Sequence, residues 1–265
     1  MPVEPVLGTP RKVGLYTRFK NRLLSLTEAK HSPMSVTHKE AMKWFKHRKA
    51  GYEELVSAVT PYLDQDSIIF DVGANVGYFS FLLAKKIDFK GSIYLFEPLP
   101  NLANLCEETF RDASYEAKVF NYGLSDEDSE QDIFVSTNGN IGWNTIVQSK
   151  ASEDMEKVRI QLKEFENCQF DAIPTFIKID VEGAEYLVLR GMLDSFRKWD
   201  NLPVILCEVG WGNSHPKWDE EIEVFKQLRN IGYSICDLNG LEIDETSITS
   251  TTDVLMIPKS LDLDI

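Results

Sequence analysis

The stretch Phe70-Asp71-Val72-Gly73-Ala74-Asn75-Val76-Gly77-Tyr78-Phe79-Ser80 does most to limit what this chain can become. A short apolar run, Ser67–Val72, ends in a glycine turn that passes directly into the helix-like segment Tyr78–Lys86. Glycine at 73 and 77 lets the backbone turn tightly and lets a ligand approach with no Cβ in the way. The helix that follows aims its free N–H groups and positive dipole end at that ligand. A dinucleotide turn would read G-x-G-x-x-G, but here the spacing is Gly73-x-x-x-Gly77 and Asn75 stands where the second glycine would be. That side chain obstructs a pyrophosphate and suits an amino-acid-like group. Glu97 lies 20 residues after Gly77 and closes a second apolar run, Ile93-Tyr94-Leu95-Phe96. A carboxylate there can accept hydrogen bonds from both hydroxyls of a ribose. Turn and acid together predict a nucleoside-type ligand at the edge of a parallel sheet.

The rest of the chain fits that architecture. Strands are expected at Ser92–Glu97, Lys118–Leu124, Phe176–Val181, Val204–Val209, Tyr233–Leu238 and Val254–Ile257. Helices are expected at Asn101–Phe110, Ala184–Phe196 and Asp219–Ile231. Alternating short strands and helices imply βαβ units. Apolar residues at Met42, Phe45, Tyr52, Leu55, Val56, Val59 and Leu63 predict two helices broken at Gly51. Residues 1–37 read as an irregular arm with one short helix around Tyr16–Leu26. The span Gln131–Phe170 is irregular, with an extra hairpin and a polar stretch at Ser149–Lys157. Two units are expected, a basic arm with helices over 1–63 and an α/β domain over 64–265.

Charge and cysteine content narrow the function. The net charge is −14, which disfavours a general nucleic-acid binder. Residues 1–50 nevertheless carry 11 basic and 3 acidic side chains, against 17 and 39 in the remainder. That basic segment is expected to be a solvated extension lying partly on the acidic body, or a patch for an anionic substrate, partner or membrane surface. The four cysteines are widely spaced, so a zinc ribbon or disulfide framework is not expected. The chain shows neither an N-terminal apolar h-region nor an uncharged run of spanning length, so a cytoplasmic protein is the expectation.

At this point the sequence resembles a class I S-adenosylmethionine-dependent methyltransferase of the FkbM family. Phe176-Ile177-Lys178-Ile179-Asp180-Val181-Glu182-Gly183-Ala184-Glu185 resembles that family's K-I-D-V-E-G-x-E signature. Asn121-Tyr122-Gly123-Leu124-Ser125-Asp126 resembles its N-x-A-L-S-D segment, and Glu97-Pro98-Leu99-Pro100 its E-P-x-P. Gly123 stands where alanine is common, and Leu162-Lys163-Glu164-Phe165 replaces a Leu-Asp pair. The resemblance covers about residues 67–210. It implies a single Rossmann-like α/β domain with a mostly parallel seven-stranded sheet, helices on both faces and an N-terminal helical extension.

By the same resemblance the chain is an O-methyltransferase acting on a hydroxyl of a sugar, glycolipid or small natural product. Asp71, Gly73, Asn75, Gly77 and Tyr78 would take the methionine part of S-adenosylmethionine, Glu97 the ribose, and Pro98, Leu99, Leu124 and Ser125 the adenine. Asp180 is the first candidate for the general base or the holder of the cofactor amine, and Glu182 the second. Glu208, closing the strand Val204–Val209, and His215, in the loop behind Trp211, complete the catalytic candidates. Asp180, Glu208 and His215 come from three separate segments without a close-spaced pair, so no metal is expected. Trp143, Trp211 and Trp218 are candidates for a stacking wall. The alternatives are a nicotinamide-dependent oxidoreductase, against which the missing G-x-G-x-x-G counts, and a non-catalytic binding module.

Overall fold

In the computed structural model, residues 33–261 apart from Asp112, Ser114, Asn138 and Asp154 are described. The expected helix around Tyr16–Leu26 and most of the basic arm lie outside the described residues.

Strand β1 (Ile68–Val72) stands near the middle of a sheet built with β2 (Ser92–Phe96), β3 (Glu116–Phe120), β8 (Phe176–Ile179), β9 (Val204–Val209), β10 (Tyr233–Cys236) and β11 (Thr252–Pro258). The spatial order is β10-β11-β9-β8-β1-β2-β3. β11 runs antiparallel to β9 and β10, while the pairings from β9 through β8, β1 and β2 to β3 are all parallel. From β1 the chain builds outward to β2 and β3, then returns to add β8 on the other side. That reversal opens a crevice beyond the carboxyl ends of β1 and β8, the usual ligand position in open α/β sheets.

The central strands are buried on both faces and so carry near-continuous apolar runs. Helices α5 (Glu185–Lys198) and α6 (Trp218–Ile231) contribute Leu189, Met192, Phe196, Phe225 and Leu228 to the core on one face. Helices α2 (Lys49–Val59), α3 (Tyr78–Lys86) and α4 (Pro100–Arg111) contribute Val56, Val59, Phe79, Leu83 and Phe110 to the core on the other. At roughly 25 cal/mol per Å² of apolar surface removed from water, these two layers are the main stabilising term.

Helix α1 (His38–Lys46) starts with a reciprocal cap. The Thr37 hydroxyl accepts from the Glu40 N–H at 3.4 Å, and the Glu40 carboxylate accepts from the Thr37 N–H at 3.0 Å. The break between α1 and α2 falls at His47–Arg48, not at Gly51, which lies inside α2. Arg48 explains the shift: its guanidinium lies over the Trp44 ring at 3.3 Å and donates to the Trp44 carbonyl at 2.9 Å.

A second sheet is the larger departure from expectation. β4 (Gly123–Ser125), β5 (Ser129–Ser136), β6 (Asn144–Thr145) and β7 (Met155–Glu164) form four strands in the order β4-β7-β5-β6. The expected hairpin is its β5–β7 antiparallel pair, and the polar stretch becomes a 3-10 turn, Gln148–Lys150, leading into β7. The expected strand Lys118–Leu124 is divided between the two sheets. Asn121 Nδ2 donates to the carbonyls of Glu97 and Pro98, both at 3.0 Å, and this side-chain hook ends β3. A third cluster joins Trp44, Phe45, Tyr78, Leu99 and Leu102 to Ile133, Ile160 and Leu162 of this second sheet.

Candidate active site

Beyond the ends of β1, β2 and β8 lies a cavity of about 950 Å³ of empty space, its mouth included. The glycine turn forms its floor. Gly73 has φ +78°, and a Cβ there would fall 2.0 Å from the Asp180 carbonyl oxygen, so only glycine lets the turn sit against the end of β8. Gly77 has φ +72°, and its missing Cβ makes room for the Phe110 ring. Asn75 and Glu182 also sit in the left-handed region, both at φ +54°. Such strain gathers at functional sites.

Glu97 is buried, yet its carboxylate is held in place. Oε2 accepts from the Asn75 N–H and Oε1 from the Leu99 N–H, both at 2.9 Å. Burial pushes its pKa up to about 7, against the pull of those two N–H groups and of Lys178. A carboxylate has about four acceptor sites, so each oxygen keeps capacity for a ligand hydroxyl. Asn75 Nδ2 donates to the Ile141 carbonyl at 2.9 Å, whereas its buried Oδ1 has no partner among the described residues.

Lys178 is a buried cation of the site. It donates to the Gly73 carbonyl at 3.0 Å and lies 3.4 Å from Asp71 and 3.5 Å from Asp180. Burial works to lower its pKa, but Asp180 and Asp71 outweigh that and hold it above the usual lysine value. Asp71 is fully buried and also accepts from the Ser80 hydroxyl at 2.7 Å. Asp180, Glu182 and Glu208 each place an oxygen within 4.8 Å of the other two. The grouping differs from the one weighed in the sequence, with Glu182 where His215 was considered.

The cavity brings together Gly73, Asn75, Tyr78, Glu97, Pro98, Leu99, Leu124, Ser125, Asp180 and Glu182, and leaves Asp71 and Gly77 behind its wall. Glu208 stands with Asp180 and Glu182. His215 is the correction: Nε2 donates to the Gly183 carbonyl at 2.9 Å, and Nδ1 accepts from the Lys217 N–H at 3.1 Å. Both ring nitrogens are therefore engaged, and burial lowers its pKa. His215 braces the Gly183 turn rather than facing the cavity. Trp211 stacks on His215 at 5.6 Å and fills the space beside Gly183, so it is packing and not a cavity wall.

Sequence reasoning missed Lys178, although it stood inside the quoted Lys178-Ile179-Asp180 run. It also missed Phe45 and Tyr52 of the N-terminal helices, and Ile133, Gly142 and Ile160 of the second sheet, all of which line the cavity. Their helical spacing and strand pattern were visible, but nothing in one sequence tells a cavity wall from a core contact.

A family model for the methyltransferase FkbM domain matches residues 71–235. The chain belongs to the FkbM methyltransferase family. The methyl donor of this family is S-adenosylmethionine, and the site fits it. Glu97 has free acceptor capacity for the ribose, the Gly73 cradle has no room for a side chain, and the orphaned Asn75 Oδ1 can accept from an amine. Hexuronic acid methyltransferase AglP of Haloferax volcanii is 23% identical over 158 residues, 56% of this chain and 59% of that protein. AMB antimetabolite synthetase AmbE of Pseudomonas aeruginosa is 32% identical over 79 residues, 30% of this chain and 4% of that protein. The chain thus spans less than two thirds of the length of either relative. Among solved structures, the O-methyltransferase from Bacillus cereus in complex with SAH aligns over 95% of this chain and 93% of its own, with 11% identity and a TM-score of 0.40. Precorrin-6y C5,15-methyltransferase from Geobacter metallireducens covers 78% and 87%, with 10% identity and a TM-score of 0.43. Among the described residues, no helix is long and apolar enough to cross a membrane.

Proposed function

We propose that this protein transfers a methyl group from S-adenosylmethionine to a hydroxyl of a sugar, glycolipid or similar small polyhydroxylated acceptor, acting in the cytoplasm. The observation that carries the reading is a single cavity with two chemically different ends. At one end Glu97, bridged to the backbone of Asn75 and Leu99, suits a ribose. At the other stand the carboxylates of Asp180 and Glu182 with the ammonium of Lys178. When bound, the donor supplies a methyl group activated on a sulfonium sulfur.

The residues of the chain then have three tasks. Pro98, Leu99, Leu124 and Ser125 flank the base while Glu97 holds the sugar. Gly73, Asn75 and Tyr78 receive the amino-acid end. Asp180, with a side chain 31% exposed, is free enough to meet an acceptor and takes the proton of its hydroxyl. Orienting the acceptor oxygen in line with the methyl group is worth about 7–11 kcal/mol, and general-base help roughly 10²–10⁴-fold. The AglP relative, named for a hexuronic acid, supports a carbohydrate acceptor. Family membership favours methyl transfer over hydride transfer.

The test is calorimetry with S-adenosylmethionine and its demethylated product, followed by transfer of radiolabelled methyl to a panel of glycosides. Binding that Glu97→Ala weakens at least tenfold, together with acid-stable label in a glycoside, supports the reading. Absence of cofactor binding by the wild type refutes it.

A further inference from the structure

The turn that joins β8 to α5, residues 180–183, is held in an uphill shape by side chains that the methyl-transfer reading has not used. Asp180 opens it, and its N–H donates to the Val72 carbonyl at 3.1 Å as a last rung of the β8–β1 ladder. Glu182 and Gly183 then follow in the left-handed region, at φ +54° and +101°. That region is unfavourable for a glutamate, so the turn keeps this form only while something holds it.

Two side chains hold it from opposite sides. From the core, Glu185 is 1% exposed, and its carboxylate gathers the N–H groups of the turn: Oε1 accepts from Val181 at 3.1 Å and from Gly183 at 3.0 Å, and Oε2 from Gly183 at 2.9 Å. Backbone N–H groups that converge in this way form an anion nest, and here the anion belongs to the chain itself. From the second sheet, the buried Thr145 of β6 donates from Oγ1 to the Glu182 carbonyl at 2.6 Å. The same Oγ1 accepts from the Val147 N–H at 3.0 Å, which fixes the direction of that donation. His215 reaches only the Gly183 carbonyl, at the end of the turn away from Asp180.

The shape of this turn bears on the cofactor seat because the two touch. A Cβ on Gly73 would fall 2.0 Å from the Asp180 carbonyl oxygen and 3.1 Å from Val181 Cγ1. Lys178 bridges the same two turns, donating to the Gly73 carbonyl at 3.0 Å and lying 3.5 Å from Asp180. Gly73, Asp180, Val181 and Glu182 all line the cavity, whereas Glu185 and Thr145 do not. Those two therefore act on a ligand only through the backbone they hold.

On the reading that the cavity holds S-adenosylmethionine with its amino-acid end at Gly73, we propose that Glu185 and Thr145 are positioning residues for that end. By clamping the 180–183 turn between core and second sheet they set its fit against the Gly73 turn, and with it the affinity for the methionine half of the donor. The nucleoside half rests on other contacts, those of Glu97 with the Asn75 and Leu99 N–H groups.

Two ligands separate the halves. S-adenosylhomocysteine carries both, and 5′-methylthioadenosine keeps the nucleoside and the sulfur but lacks the amino-acid chain. Calorimetry and thermal-shift titration of the full chain measure both affinities, and the melting curves report whether each variant folds. Glu185→Met keeps the bulk of the side chain and removes both acceptor oxygens. It is expected to weaken S-adenosylhomocysteine about tenfold or more and to change 5′-methylthioadenosine less than about twofold. Glu185→Gln keeps one acceptor oxygen and should recover much of that loss. Thr145→Val should show the same selectivity with a loss of about fivefold, and it decides the matter if Glu185→Met does not fold. Equal weakening of both ligands assigns the two side chains to the fold as a whole and overturns the proposal, as does an unchanged affinity for S-adenosylhomocysteine. If the wild type holds only S-adenosylhomocysteine measurably, the losses of Glu185→Gln and Thr145→Val must fall short of additive, as two holds on one turn require, and additive losses overturn the proposal. A wild type that binds neither ligand refutes the proposed function itself, and this inference with it.

Discussion

The Asn75 N–H donates to Glu97 Oε2 at 2.9 Å, so the acid that closes the second strand grips the turn that follows the first. The two strongest signals in the sequence are thus one structural unit, and the ligand contacts of one depend on the charge of the other.

That coupling makes cofactor binding depend on pH. Burial raises Glu97 to about 7, and the ionised form is the one that accepts from ribose hydroxyls. Affinity for S-adenosylhomocysteine therefore rises between pH 6 and 8 and levels off above. Glu97→Gln weakens binding by about tenfold or more at pH 8 and flattens the profile. Calorimetry across that range decides it: a flat wild-type profile contradicts the assignment.

Lys178 stabilises the fold before any ligand arrives. Removing it in Lys178→Met leaves Asp71 buried and uncompensated, which costs about 3–5 kcal/mol in a buried pair. The double variant Asp71→Asn/Lys178→Met recovers a large part of that loss. Urea unfolding of the wild type, the two single variants Asp71→Asn and Lys178→Met, and the double variant measures the coupling, and simple additivity of the two changes speaks against it.

Three buried carboxyls predict how stability changes from mildly acidic pH to just above neutrality. Burial raises Glu97 and Glu185 to about 7 and Glu221 to about 8. Each is raised above its unfolded value, so its contribution is complete below about pH 4.5 and is lost as pH rises through the folded value. His215, with its pKa lowered, acts in the opposite sense only below about pH 6.5. Melting temperature is therefore expected to fall between about pH 4.5 and 8, most steeply above pH 6.5, and to level off beyond. Glu221 has an oxygen without a hydrogen-bond partner among the described residues, and Glu221→Gln should raise the melting temperature at pH 9 by about 2–6 °C. A wild-type melting temperature that climbs over this interval contradicts the account.

His215→Ala separates bracing from chemistry. It deletes the hydrogen bond to the Gly183 carbonyl and the stack on Trp211, and is expected to cost about 1–3 kcal/mol in unfolding free energy. Affinity for S-adenosylhomocysteine should stay within about threefold of wild type. A fully stable variant would show that the imidazole is not holding the turn.

The strands that carry charge at their ends were legible, because a buried parallel strand must be apolar along its length and so marks its own boundary. β1, β2, β8 and β9 fall within a residue or two of expectation, and Asp71, Glu97, Asp180 and Glu208 with them. Gly51 misled because the helix break follows the reach of the Arg48 side chain rather than local propensity. β3 ended early because of the Asn121 hook, a contact across 24 residues that no periodicity reveals. The second sheet escaped for a related reason. β4 is only three residues long and pairs with β7 far along the chain, so its partner cannot be read from its neighbourhood. His215 was ranked by its chemistry alone, and both its ring nitrogens proved to be spent on backbone groups.

The hydrogen bond from Thr145 Oγ1 to the Glu182 carbonyl, at 2.6 Å, and that from Asn75 to Ile141 pin the β5–β6 connection to both shores of the crevice. Chimeras among homologues should respect those two stitches. Exchanging residues 137–147 as a block transplants the roof without disturbing the nucleoside seat beneath it, whereas a graft that severs either stitch forfeits the register between them.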